Sequence, residues 1–250
     1  MTVSPTAVLH AEWIKLRSLR AALVSLAAVF AVAVAVTALV QASIEDPAGP
    51  IGEEFGGDRL FAAFYGVNFA HVAAIAFGTT AMSCEYVNHA LRVSLTAVPD
   101  RDLFYAAKTA VIGAAALAVG LVTGFGIFLT GQAVLGDDGL GLGAPGALRA
   151  CFGTGLGLAL TALLAAGLTA VLRSGVAALS ILIPFFLVVS FVIGDTTGGA
   201  AEYLPDRAGG QILFADPVGD LGAWSGLAVA ALWSLAALLA GWWTVRRRDA

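Results

Sequence analysis

Between Ala21 and Ala42 the chain carries no charged residue. A helix of that length crosses a hydrocarbon layer of about 30 Å. Five further stretches meet the same standard: Leu60–Met82, Thr109–Leu135, Ala150–Leu172, Val176–Ile193 and Leu221–Thr244. A water-soluble domain has nowhere to hide so many apolar runs. Composition agrees, with 59% hydrophobic residues and 12% charged, against about 25% charged in soluble domains. The expected fold is therefore an all-α integral membrane protein with six transmembrane helices, spanning residues 21–42, 60–82, 109–135, 150–172, 176–193 and 221–244. The first run is read as a retained span rather than a cleaved signal peptide.

Six spans put both termini on one side, and the basic residues select that side as the cytoplasm. On the terminal side fall Lys15, Arg17, Arg20, Arg92, Arg101, Lys108, Arg173, Arg246, Arg247 and Arg248. Only Arg59, Arg149 and Arg207 fall opposite, together with twelve of the seventeen acids. The expected topology is N-in and C-in, in a bacterial plasma membrane.

The segments outside the spans carry their own signals. Residues 1–20 predict an interfacial helix: Ser4-Pro5 starts it, and Val8, Leu9, Trp13, Leu16 and Leu19 cluster on one side. Glu12 interrupts that apolar side. The acidic external segment 194–220 also holds Tyr203-Leu204-Pro205 and Ile212-Leu213-Phe214. Those apolar groups point to short helices re-entering the outer leaflet, which is allowed where protein covers the backbone.

The cytoplasmic stretch between the second and third spans is the most informative. Val87, Leu91, Leu95 and Val98 recur at helical spacing, with Asn88, Arg92 and Thr96 as a polar row beside them. Pro99 stops the helix. The reading is a short amphipathic helix over 85–99, too polar to span, whose apolar ridge needs a partner.

Glu85, Arg92, Leu95, Pro99, Arg101 and Lys108 follow a pattern that resembles ABC-2-type transporter permeases, the transmembrane domains of type V ABC exporters. The opening Glu12-Trp13-Ile14-Lys15-Leu16-Arg17-Ser18 is similar to the start of actinobacterial members. The run Asn88-His89-Ala90-Leu91-Arg92 departs from the Gly-Thr-(Ile)-Arg often found there. The resemblance implies the membrane half of an ATP-driven exporter. Its short cytoplasmic helix would be a coupling helix docked on a separate ABC ATPase, two copies of which bind ATP and Mg. A second permease copy, or a related permease, would complete the path. On that resemblance the ATPase-coupling residues are Glu85, Tyr86, Leu91, Arg92, Leu95, Pro99 and Arg101.

No G-x-x-x-x-G-K-[ST] phosphate loop occurs, so this chain is expected to be no enzyme on its own and to bind no cofactor itself. Cys84, Cys151, His10, His71 and His89 lack metal-ligand spacing. Three terminal arginines suit lipid headgroups and are too few to argue for nucleic acid. Polar and aromatic groups within the spans are candidates for lining a substrate path: Phe64, Asn68, His71, Phe185 and Phe186. Gly120-x-x-x-Gly124 and Gly153-x-x-x-Gly157 read as sites of close helix packing, and Pro184 as a bend. Two other readings compete: an ion-driven secondary transporter, which calls for mid-span charges or two similar halves, and a non-transporting anchor or immunity protein.

Overall fold

A computed structural model describes residues 4–43, 58–88, 90–136, 139–189, 198–217 and 219–247. His89, Asp137-Asp138, Asp195, Arg248 and residues 44–57 lie outside the described residues. Among the described residues the regular structure is entirely helical: α1 Pro5–Ser18, α2 Arg20–Ala42, α3 Arg59–Ala63, α4 Val67–Ser83, α5 Ala90–Ala97, α6 Arg101–Leu135, α7 Ala147–Leu172, α8 Gly175–Pro184, α9 Pro205–Gly210 and α10 Ala223–Arg247. Five helices are long and apolar enough to cross a membrane: α2, α4 with its tight-turn extension to Tyr86, α6, α7 and α10. The remaining expected span, 176–193, is described as α8 and a π-helical turn, Phe185–Val189. Its expected continuation over 190–193 lies outside the described residues. The α-helical stretch ends at Pro184, where the ring removes an N–H and the backbone widens into the π turn.

Two further span boundaries differ markedly from the sequence reading, each for a physical reason. The stretch 60–82 is not one helix but α3 and α4, broken at Phe64–Gly66. Gly66 lies against the Ala33 carbonyl and Thr37 hydroxyl of α2, so the break lets the backbone pass where a side chain would collide. The stretch 109–135 begins earlier, at Arg101, and runs unbroken for 35 residues. Asp100 caps it, accepting from the backbone N–H of Asp102 (3.0 Å) and Leu103 (3.1 Å).

Close backbone contact organises the bundle. Gly120 and Gly124 of α6 lie against Gly155 and Cys151 of α7, an antiparallel crossing inside the chain. Gly153 faces Ile212 instead, and Gly157 has open space beside it. Gly78 of α4 sits on the Ala162 carbonyl of α7, and Gly167 of α7 on Ala237 and Leu238 of α10. The interior divides into a cluster around Phe64, Phe128, Leu158 and Ile212 and another around Phe77, Met82, Tyr105 and Ile112. A smaller one joins Ile75, Leu164 and Leu182. Outward faces of α2 and α10 present Val24, Leu39, Leu232 and Leu239, the arrangement expected when the solvent is lipid.

At one end of the bundle the segment before α10 forms the short helices the sequence suggested: a 3-10 turn at Gly198–Tyr203, α9, and a 3-10 turn at Gln211–Leu213. Asp58 ties it down. One carboxylate oxygen caps α3, and the other accepts from Ala215 N–H at 2.7 Å. Phe61 stacks on Phe214 at 4.2 Å, and Arg149 donates to the carbonyls of Phe214 and Ala215.

Candidate functional site: a buried charge cluster at the terminal end

The other end gathers α1, the turn after α4, α5, the start of α6 and the end of α10. Because α6 starts at Arg101, Lys108 lies two turns inside a helix rather than in a loop. It points inward and is 5% exposed. The 3-10 turn Cys84–Tyr86 prolongs α4 and aims Glu85 at the same point. On α1 the buried residues are Val8, Glu12 and Leu16, spaced four apart on one stripe. Glu12 therefore sits within the apolar face, and there it is 3% exposed.

These residues meet. Lys108 Nζ lies 2.6 Å from Glu85 Oε1 and 3.0 Å from Glu12 Oε2. Lys15 Nζ lies 2.7 Å from Glu12 Oε1 and 3.3 Å from Glu85 Oε1. Lys15 also donates to Ser94 Oγ at 2.9 Å, and Ser94 donates to Glu85 Oε2 at 2.8 Å. The Phe104 ring closes one side, 5.5 Å from Lys15 Nζ. Two carboxylates and two ammonium groups leave the cluster without net charge. A small cavity beside it is lined by Leu16, Leu19, Cys84 and Val111 as well as by the charges. Glu12 Oε2 pairs with Lys108 by proximity but lacks hydrogen-bond alignment.

The expected coupling residues divide by orientation. Glu85 joins the cluster, and the Tyr86 hydroxyl reaches the Ala170 carbonyl of α7 at 3.5 Å. Leu91 is buried and Leu95 half-buried against the chain's own body. Of the ridge read from the sequence as waiting for a partner, Leu91 is covered from within, Leu95 and Val98 are partly covered, and Val87 stays 56% exposed. Arg92, Val93, Thr96 and Pro99 face outward, with Val93 69% exposed. Arg101 donates to the Val245 and Arg246 carbonyls at the end of α10, at 2.9 and 3.4 Å. Asp102 accepts from Trp242 Nε1 at 2.8 Å, so α6 and α10 are stitched at the same level. Helix α5 covers 90–97, shorter than the expected 85–99, because Asn88 takes a left-handed conformation (φ 51°) that ends the preceding turn.

The candidate path residues do not form one group. Phe64 is fully buried and packs on Phe128, and Asn68 is exposed, donating to the Tyr65 carbonyl. His71 lies elsewhere, its Nδ1 2.9 Å from Thr161 Oγ1 and its ring 5.7 Å from that of Phe186. Phe185 and Phe186 meet edge to face at 6.0 Å. The structure so brings together His71, Thr161, Phe185 and Phe186 between α4, α7 and the π turn. Among the described residues no group of acidic, His or Cys side chains is placed to hold a metal ion.

Of the cluster, sequence reasoning named only Glu85 as a candidate site residue; it missed Glu12, Lys15 and Ser94 and placed Lys108 only in the permease pattern. The available signal was Glu12 itself, a carboxylate four residues from Val8 and Leu16 on an otherwise apolar stripe. Searches among protein families, curated proteins and solved structures found no match to the chain.

Proposed function

We propose that the chain is the membrane-spanning permease subunit of an ATP-driven exporter of the ABC-2 type, powered by a separate ATPase. It would cross the membrane six times, with both termini cytoplasmic and the segment before α10 re-entering the outer leaflet. Two ATPase copies and a second permease would complete the assembly. The observation that carries this reading is the placement of α5. It is a short amphipathic helix at the terminal end of the bundle, inserted between two long apolar helices and only three residues from α6. Leu91 fixes it to the body, while Arg92, Val93 and Thr96 form an outward face. A push on that face passes into α6, whose 35 residues run the depth of the bundle without a break. The resemblance of Glu85, Arg92, Leu95, Pro99, Arg101 and Lys108 to the permease pattern supports the same reading.

The test is co-purification from the native host. The wild-type chain is expected to bring down an ATPase carrying a phosphate loop. Val93→Asp combined with Thr96→Asp alters only the outward face and is expected to abolish that association while the permease still purifies as a folded species. Purification free of any ATPase, together with ion-gradient-driven uptake in liposomes, overturns the reading in favour of a secondary transporter.

A further inference from the structure

Helix α1 packs on the start of α6, and the polar part of its attachment is the charge cluster. Glu12 and Lys15 come from α1, Glu85 from the turn after α4, Ser94 from α5 and Lys108 from α6. Thus four separate segments contribute to one interlocked set of contacts. Glu12, Glu85 and Lys108 are at most 5% exposed. Buried ion pairs add little to stability over apolar packing, but removing one partner leaves an uncompensated charge. Glu12 Oε2 aside, every carboxylate oxygen of the set is hydrogen-bonded, so moving one segment away leaves buried groups unpaired. We infer that the cluster is a latch, with Lys108 at its centre, that makes α1, α5 and the start of α6 move as one rigid lever.

The connectivity sets the roles. Lys108 alone touches both carboxylates from within the bundle. Lys15, 41% exposed, touches the same two from the rim and adds Ser94. Without Lys108, Glu12 and Glu85 face one another across a single, solvent-exposed cation. Their repulsion then drives α1 away and strains the Ser94 contact that holds α5. Under the exporter reading, on which this meaning rests, the latch delivers a push on α5 to the membrane-surface helix as well as to α6.

The latch is testable without any partner. In a Cys84→Ser, Cys151→Ala background, spin labels at Ala11→Cys on α1 and Ala97→Cys on α5, both exposed positions, report the distance between the two helices in lipid nanodiscs. A second pair at Val122→Cys and Leu148→Cys reports the α6–α7 packing away from the cluster. With Lys108 present, the first pair is expected to give a single narrow distance. Lys108→Met is expected to lose it to a broad distribution while the second pair stays unchanged. Glu12→Gln added to Lys108→Met removes the repelling carboxylate and is expected to narrow the distribution again. Should Lys108→Met fail to insert, Glu12→Gln alone, on the peripheral helix, is expected to loosen α1 with α5 still in place. An unchanged α1–α5 distance in Lys108→Met, or in Glu12→Gln alone, overturns the latch. A wild-type chain that shows the latch yet binds no ATPase leaves the latch standing and removes the exporter reading instead.

Discussion

Lys108 and Lys15 carry the same charge and touch the same carboxylates, yet their environments give them different weights. Lys108 is nearly enclosed and Lys15 is 41% exposed. Replacing Lys108 by Met is expected to cost about 3 kcal/mol or more, because two buried carboxylates lose their inner partner. Replacing Lys15 by Gln is expected to cost under about 1 kcal/mol, because water screens the rim pair. Thermal unfolding of both variants in the same detergent checks the difference. At His71 the expected effect lies between these. Thr161→Val keeps the shape but leaves Nδ1 without its partner, a loss of about 1–2 kcal/mol. The sequence made these residues hard to rank. Lys108 stands one residue before an uncharged run, where a basic residue ordinarily anchors a span at the headgroups. Glu12 looked like a flaw in an apolar face. Each charge makes sense only with the other, and 96 positions separate them along the chain.

Among the helices, the long ones were legible and the breaks were not. Uncharged runs of 20 or more residues identify α2, α6, α7 and α10 directly, since lipid imposes one length on all of them. The split between α3 and α4 has no composition signal, because Phe64-Tyr65-Gly66 is as apolar as its surroundings. Its cause is tertiary, the close passage of Gly66 against α2. Likewise, α6 starts early because Asp100 caps it and because partners neutralise Lys108. The amphipathic pattern of α5 was readable, but a pattern does not say which side finds its partner at home. Close crossings give the clearest prediction at this level. Gly78→Leu puts a branched side chain into the Ala162 carbonyl. It is expected to separate α4 from α7 and to destabilise by about 3 kcal/mol, which denaturant titration in micelles checks.

For the molecule as a whole, the contrast between its two ends matters most. One end is knitted by ionic contacts among α1, the turn after α4 and α6, with Ser94 of α5 hydrogen-bonded to them, and by Arg101 on the end of α10. The other is knitted by Asp58, Arg149 and the Phe61–Phe214 stack around the short helices before α10. With nine of the twelve described basic residues near the first end, the expected orientation puts that end in the cytoplasm. A reporter active only in the cytoplasm is expected to work when fused after residue 250. One active only outside is expected to work when fused within 214–217. The reverse pattern inverts the whole molecule.

The charge cluster also bears on how the chain is made. All of its members lie within the first 108 residues, so a ribosome that has released α6 has supplied every one of them, before α7, α8 or α10 exists. Synthesis delivers the two acids first and the base last. The cluster can therefore settle as a neutral unit while the second half of the chain is still being threaded.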